Sequence, residues 1–204
     1  MNLNRELPPI GRPGSDIFRV VTMTPAESPV RLFLEFSRKQ LMDEYWPRLR
    51  GCVESLTDEQ VWWRPNEASN SIGNLLLHLN GNVGQWLVGS FNRTEDARDR
   101  SAEFAERHPV SRDVLLDRLG ATLQEASAVL SRLTEADLLT TLHIQGYTVS
   151  GVEAVYHVVE HFGMHYGQIL YITKLVRGED LGFYSELNKT GRLPSPSVSG
   201  TTPR

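Results

Sequence analysis

The sequence predicts an all-α fold, a four-helix bundle with irregular segments at its two ends. Four long stretches repeat apolar residues at helical spacing, and good helix-capping residues precede several of them. The composition, with 40% hydrophobic and 23% charged residues in a chain of 204, is that of an ordinary globular domain. Helices that each carry one apolar stripe bury those stripes against one another, which favours a bundle.

The first predicted helix spans residues 29–56, where apolar side chains recur every three or four positions. Pro47 lies inside this stretch and is expected to kink the helix or end it early, because proline lacks an amide donor. The second predicted helix spans residues 71–90, and either Asn70 or Ser71 is its expected cap.

The third predicted helix spans residues 112–133 and follows Ser111, a good capping residue. The fourth spans residues 151–176 and is expected to stop before Gly178, because glycine is a common helix terminator. Between these two helices, residues 140–149 are rich in β-branched and aromatic side chains. This segment is predicted to be a short extended piece or a hairpin.

The two ends of the chain differ in composition from the predicted bundle. Residues 1–29 contain five of the eleven prolines, which predicts an irregular or mobile N-terminal arm. Residues 30–188 are predicted to form the bundle, and residues 189–204 a mobile C-terminal tail. Either Met1 or Met23 could be the natural start of the protein.

Charge and hydropathy argue against two classes of partner. The net charge of −4 is unlike the basic surface that nucleic-acid binding needs. No apolar stretch reaches the roughly 18 residues of a membrane span, and the N-terminus does not resemble a secretory signal. Cys52 is the only cysteine, so an intrachain disulfide is impossible, and its helical position suggests packing. These features predict a cytoplasmic protein.

A cluster of arginines follows the second predicted helix. Arg93, Arg98 and Arg100 are interleaved with acidic residues that include Glu103. Mixed charges of this kind usually lie on a solvated surface. The sequence therefore predicts a solvent-exposed loop or helix start at this point in the chain.

Three histidines lie four residues apart in the fourth predicted helix: His157, His161 and His165. Four residues of an α-helix turn through about 400°, so neighbours in this series differ by only about 40° and share one stripe. A fourth histidine, His78, lies in the apolar second helix. If these two helices face each other, their imidazoles can meet at one metal ion.

A mononuclear centre of this type would take His78 and two adjacent histidines of the fourth helix. We favour the pair His161 and His165, but the pair His157 and His161 has the same spacing. Three protein ligands leave coordination positions open for water or substrate, as catalytic sites require. A single histidine on an apolar face is usually a hydrogen-bonded core residue, but three in register favour a metal site. Imidazole suits several divalent ions, so zinc, nickel, iron and manganese all remain open.

Several polar and aromatic residues are positioned to orient these imidazoles or to line a pocket. They are placed one or two helical turns from a predicted ligand, which is the distance at which such support is expected. Each could instead cap a helix or belong to the core. The candidates are His157, Asn74, Asn82, Trp86 and Gln168.

Two sequence runs carry a resemblance to a known family. The runs are NSIGNLLLHL at residues 70–79 and EHFGMHYGQI at residues 160–169. Both resemble the DinB/YfiT-like superfamily, whose members are regarded as metalloenzymes. The resemblance covers about residues 30–188 and extends to the segments WWRPNE, RDRSAEF and GFY. It implies a four-helix bundle, often dimeric, with a divalent metal on the histidines His78, His161 and His165.

The resemblance also implies a type of reaction. Members of the superfamily include transferases that use bacillithiol, mycothiol or glutathione-like thiols. By resemblance, an external low-molecular-weight thiol would attack an electrophilic small molecule at the metal centre of a homodimeric enzyme. Two other classes stay open, namely a non-catalytic metal-binding module and an interaction scaffold whose histidines serve packing.

Overall fold

A computed structural model describes residues 28–107 and 109–185 of the chain, and the all-α prediction is confirmed. Of the predicted arm at residues 1–29, only the last two residues fall within this range, and the predicted tail at residues 189–204 lies outside it. The helices are α1 (Pro29–Lys39), α2 (Trp46–Glu54), α3 (Asp58–Trp62), α4 (Ile72–Val83), α5 (Ser90–Asn92), α6 (Arg100–Ala105), α7 (Arg112–Arg132), α8 (Glu135–Leu139) and α9 (Gly151–Arg177), and the strands are β1 (Thr141–Ile144) and β2 (Tyr147–Ser150).

The first rod of the bundle runs without a break through α1, a π-helical segment at Gln40–Tyr45, and α2. Pro47 was expected either to kink the helix or to end it early. The helix continues through Pro47, so the second of these expectations is wrong. Pro47 lies in the first turn of α2, directly after the wider π turn. A proline removes one backbone hydrogen bond, and a local change of helical pitch before it accommodates that loss.

The second rod consists of α4, a π-helical segment at Gly84–Gly89, and α5. Ser71 is the cap of α4, and Asn74 completes a reciprocal capping box with it. The rod ends at Arg93, whose φ of 56° is left-handed. These bounds agree closely with the prediction of residues 71–90.

The third and fourth rods, α7 and α9, also match their predicted ranges within one residue. Gly178 follows α9 with a φ of 68°, which a side chain would disfavour, so it ends the helix as predicted. The segment between these rods forms a hairpin, in which β1 pairs antiparallel with β2. Gln145 and Gly146 turn its tip, both with positive φ, as in a type I′ turn.

Three short helices lie in the connections that the structure describes. Helix α6 begins where a loop or helix start was predicted, whereas α3 and α8 were not predicted. Each begins at a capping side chain: Thr57 for α3, Asp99 for α6 and Thr134 for α8. Helix α6 packs on α4, and this contact brings Glu103 of α6 close to His78 of α4.

The core is formed by apolar side chains from all four rods. Fully buried examples are Leu41, Leu79, Leu119 and Phe162, one from each rod. None of the helices within residues 28–107 and 109–185 is long and apolar enough to cross a membrane.

Candidate metal centre

The imidazoles of His78, His161 and His165 meet in the bundle between α4 and α9. The Nε2 atom of His161 lies 3.1 Å from Nε2 of His78 and 3.2 Å from Nε2 of His165. No two of the nitrogen atoms that the three residues offer are more than 4.8 Å apart. His161 and His165 share a face because they are separated by about one helical turn, and the contact between α4 and α9 brings His78 to them.

These separations suit a shared metal ion. Two imidazole nitrogens at about 2.0–2.1 Å from a zinc ion in tetrahedral geometry lie about 3.3–3.4 Å from each other. The two short Nε2 separations are within a few tenths of an ångström of that value. The three histidines are thus near enough to one another to hold a metal ion, and no fourth histidine, cysteine or carboxylate in the described ranges joins them.

A buried carboxylate orients His78. The Nδ1 atom of His78 donates to Oε2 of Glu103 at 2.8 Å, which leaves the lone pair on Nε2, the atom that faces the other two histidines. Arg98 clamps the same carboxylate through Nε at 2.6 Å and Nη2 at 2.8 Å. A carboxylate that receives the other ring proton of a histidine raises its basicity as a metal ligand.

This arrangement corrects the prediction for the arginine cluster. Arg93 and Arg100 are exposed as expected, but the side chains of Arg98 and Glu103 are only 6% and 10% exposed. The reason is that α6 packs on α4 where Gly81 has no side chain. A Cβ at that position would lie 2.6 Å from Nε of Arg98 and closer still to Oε1 of Glu103.

Sequence reasoning therefore missed two residues of the site, Arg98 and Glu103. The signals were present but indirect. A glycine in the middle of an apolar helix indicates a close approach of another group, and Gly81 is such a glycine. The run RDRSAEF also belonged to the family resemblance, although no role was assigned to it.

Burial lowers the pKa of His161 and His165 and so favours their neutral forms. Burial, reinforced by the nearby imidazoles of His165 and His78, lowers the pKa of His161 to about 3. Burial also lowers the pKa of His165, against the opposing effect of its hydrogen bond to Gln168. Burial alone would raise the pKa of the Glu103 carboxyl, but its hydrogen bonds with Arg98 and His78 outweigh burial and hold that pKa below its usual value. Neutral imidazoles beside a carboxylate are the protonation states that metal binding needs.

Gln168 contacts a predicted ligand directly. Its Oε1 atom lies 2.7 Å from Nδ1 of His165, so the ring proton resides on Nδ1 and the lone pair on Nε2. Nδ1 of His161 is buried and has no hydrogen-bond partner among the described residues. His78 and His165 are therefore oriented by partners at Nδ1, whereas the polar contacts of His161 are those of its Nε2 atom with the other two rings.

His157 lies one turn before His161 and outside the group of three. Its Nε2 atom accepts a hydrogen bond from Nδ2 of Asn82 at 3.1 Å, and its ring lies 4.0 Å from that of Trp86. The convergence with His78 thus involves His161 and His165 rather than the alternative pair. Burial lowers the pKa of His157 as well.

Asn74 makes no hydrogen bond to any of the three imidazoles. Its Oδ1 atom accepts from Arg64 at 2.6 Å and from the cap residue Ser71, while Nδ2 donates to the backbone carbonyl of Glu103 at 2.8 Å. The residue therefore ties α6 to the start of α4. Its support for the site passes through the position of Glu103.

A cavity of about 430 Å³ is lined by two of the three histidines, His78 and His161. It is bounded by α4, α9 and the hairpin, and it also reaches Arg98. The side chains that line it include His78, His161, His157, Asn82, Trp86 and Tyr147.

The remaining titratable candidates lie apart from this centre. His143 is exposed on β1, and its ring contacts Thr148 on β2, whereas His108 lies outside the described residues. Cys52 is buried in α2, and burial raises the pKa of its thiol to about 11. Such a thiol is protonated near neutral pH and serves packing.

Comparisons with known proteins agree with this architecture. The family model for the DinB superfamily matches residues 41–169. A conserved protein from Enterococcus faecalis is 18% identical, with a TM-score of 0.61 over 71% of this chain and 97% of its own. A DinB-like protein from Bacillus cereus is 15% identical, with a TM-score of 0.56 over 73% and 93%. A DinB-like protein from Bacillus subtilis is 17% identical, with a TM-score of 0.53 over 77% and 98%. At these identities the likeness concerns the fold alone, and no curated protein sequence matches the chain.

Proposed function

The chain belongs to the DinB superfamily, and from that premise we propose that it is a metal-dependent enzyme in which His78, His161 and His165 bind one divalent cation. We further propose that it transfers a low-molecular-weight thiol to an electrophilic small molecule. The thiol would be of the bacillithiol, mycothiol or glutathione type.

One observation supports the metal proposal above all others, the convergence of three imidazoles through their Nε2 atoms. His78 and His165 have acceptors at Nδ1 and therefore direct Nε2 lone pairs at this point, whereas Nδ1 of His161 has no partner and leaves its Nε2 free to present a lone pair as well. The Nδ1 partners of His78 and His165 are acceptors, so these two Nε2 atoms cannot both donate to His161 and keep those partners. A bound cation would satisfy all three lone pairs at once.

The chemistry of the proposed reaction follows from the centre and the cavity beside it. A divalent cation bound there would lower the pKa of a coordinated thiol or water and make it a nucleophile near neutral pH. Glu103 and Arg98 would hold His78 in place, and Gln168 would hold His165. The cavity gives a small molecule access to the same point, which favours an enzyme over a closed metal-storage site.

The metal proposal is tested by titrating chelator-treated protein with zinc, nickel, iron(II) and manganese, and by elemental analysis of the purified protein. We expect one tightly bound ion per chain, and loss of that ion in His78→Ala and His161→Ala. His143→Ala is the matched control, because this histidine is exposed on the hairpin and outside the group of three, and it should bind metal as the wild type does. His157→Ala should also retain the ion. Equal metal content in the wild type and His161→Ala would refute the proposal and leave an interaction scaffold.

The transferase proposal is tested with metal-loaded protein, a thiol and 1-chloro-2,4-dinitrobenzene. In the reaction the thiol sulfur forms a bond to the ring carbon, chloride leaves, and the thiol proton passes to the buffer. We expect conjugate formation above the buffer rate with the wild type and not with His161→Ala. If metal binds but none of the three thiols reacts with this or another electrophile, the protein is a non-catalytic metal-binding module.

We also propose that the protein is a cytoplasmic homodimer. Four large apolar side chains of α9 are about half exposed or more and lie within about 100° of each other around the helix. They are Tyr156, Met164, Tyr171 and Leu175. Light scattering coupled to gel filtration should give twice the chain mass, and Tyr171→Lys should shift it towards the monomer. Leu139→Lys, an exposed apolar residue outside this helix, is the control.

A further inference from the structure

Besides Nδ1 of His161, two buried polar atoms of residues that line the cavity have no hydrogen-bond partner among the described residues. They are the indole Nε1 of Trp86, a donor, and the amide Oδ1 of Asn82, an acceptor. Both side chains are at least nine-tenths buried, and both line the cavity that His78 and His161 also line. Buried polar groups without partners are rare in folded proteins and cost free energy, so each calls for an explanation.

The two atoms belong to neighbouring positions on one helical rod. Asn82 and Trp86 are separated by four residues, so their side chains lie side by side on the same face. The other end of the Asn82 amide is already committed, since Nδ2 donates to His157. The wall therefore presents one unused donor next to one unused acceptor.

The same wall is aromatic. The ring of Trp86 lies 4.0 Å from that of His157 and 6.2 Å from that of Tyr147 on the hairpin. Aromatic groups at such distances favour a planar ring as a ligand, because ring faces and edges attract each other.

Access to the wall depends on the hairpin. Neither unpartnered atom is open to solvent, so a ligand reaches them only where a neighbouring side chain moves aside. Tyr147 is 63% exposed and is the aromatic cover nearest to the Trp86 ring on the hairpin side. Exposed side chains change rotamer within nanoseconds, so this movement is not a barrier to binding.

From these observations we propose that the cavity binds a planar aromatic carboxamide. The carbonyl oxygen accepts from Nε1 of Trp86, the amide N–H donates to Oδ1 of Asn82, and the ring packs against the aromatic wall that Trp86, His157 and Tyr147 form. One ligand group thus satisfies both unused atoms. The inference deepens the proposed function, since the cavity adjoins the proposed metal centre and this group would belong to the substrate. The binding itself, however, does not require the metal.

Benzamide is the probe, and methyl benzoate is its matched analogue, which keeps the carbonyl but lacks the N–H. Binding is measured by calorimetry on chelator-treated protein, so the result is independent of whether metal binds. We expect benzamide to bind several-fold more tightly than methyl benzoate. Absence of benzamide binding, or equal affinity for the two compounds, would overturn the proposal on the wild type alone.

Two variants separate the two hydrogen bonds. Trp86→Phe keeps an aromatic ring but removes the donor, and it should weaken both ligands by about five- to tenfold. Asn82→Leu removes the acceptor, and it should abolish the preference for benzamide over methyl benzoate. A general loss of structure in Asn82→Leu would weaken both ligands without changing their ratio, and circular dichroism of Trp86→Phe distinguishes such a loss from removal of the donor.

Trp63→Phe is the control for the first variant, because Trp63 is exposed and outside the cavity. It should bind both compounds as the wild type does. If Trp86→Phe also binds them with unchanged affinity while remaining folded by circular dichroism, the assigned site is wrong. Failure of the metal titration with benzamide binding intact would refute the metal centre and keep this site.

Discussion

Replacing Gly81 by alanine should disturb the candidate metal centre without touching a histidine. Gly81 lies in α4, three residues after His78, where the Glu103–Arg98 pair approaches the helix backbone. An alanine Cβ would lie 2.6 Å from Nε of Arg98 and 3.0 Å from Cδ of Glu103, whereas ordinary van der Waals contact begins near 3.4 Å. Both groups must therefore move outward, by roughly 1 Å at the carboxylate.

The size of the effect follows from the hydrogen bond that this shift breaks. Glu103 is 2.8 Å from Nδ1 of His78, and a further ~1 Å takes it beyond hydrogen-bonding distance. Loss of such a partner typically weakens metal binding by about 10- to 100-fold. The free energy of unfolding should fall by about 1–3 kcal/mol for the lost charged hydrogen bond, against a gain of about 1 kcal/mol from alanine in a helix.

Gly51→Ala is the matched control. Gly51 lies in α2, and a Cβ there meets nothing within 4 Å, so this variant should gain about 0.5–1 kcal/mol with unchanged metal affinity. Because both variants have the same helix propensity gain, their difference isolates the clash. Metal affinity is measured by competition with a chromophoric chelator, and stability by urea unfolding of metal-free protein. The reasoning is refuted if Gly81→Ala binds metal normally and is stabilised as much as Gly51→Ala.

Three further predictions concern charge, burial and backbone conformation. Glu103→Gln should weaken metal binding at least about tenfold in the same competition assay, because the carboxylate charge beside His78 is lost. Glu160→Gln is the control: this residue is exposed on α9, and its variant should bind metal as the wild type does. Burial raises the pKa of the Cys52 thiol to about 11, so at pH 8 the thiol should react with iodoacetamide about 100-fold more slowly in native than in urea-unfolded protein. The reaction rate of the native protein should rise with pH up to about 11. Equal rates in native and unfolded protein would contradict the raised pKa. Gly178→Ala should lower the unfolding free energy by about 1 kcal/mol because its φ is 68°, and a thermal melt that shows stabilisation instead would exclude the left-handed conformation.

Much of the fold could be predicted from short-range patterns. The third and fourth helices were placed within one residue because the capping side chains and glycine act on their own neighbours in the chain. The hairpin also followed from local composition. Pro47 was harder, because a proline in a helical stretch can end the helix or be absorbed by a π turn, and packing of the rod decides between them.

The candidate site was predictable only in part. The stripe of histidines on α9 follows from helical geometry, and the resemblance supported His78, His161 and His165 as the set. The burial of Arg98 and Glu103 did not follow, because a segment of mixed charges has the same composition on a solvated surface as beneath a packed helix. Asn74 was expected near an imidazole, but it binds the backbone of α6 instead.

The sequence by itself determined where the helices begin and end and which histidines share a face, because capping and helical periodicity involve residues within one or two turns of each other. Only the tertiary structure decided that α4 and α9 bring His78 to within 3.1 Å of His161. It also decided that α6 closes over Gly81 and buries a carboxylate behind His78. These contacts join residues 25 and 83 positions apart, and their formation depends on the packing of whole rods, which no local pattern records.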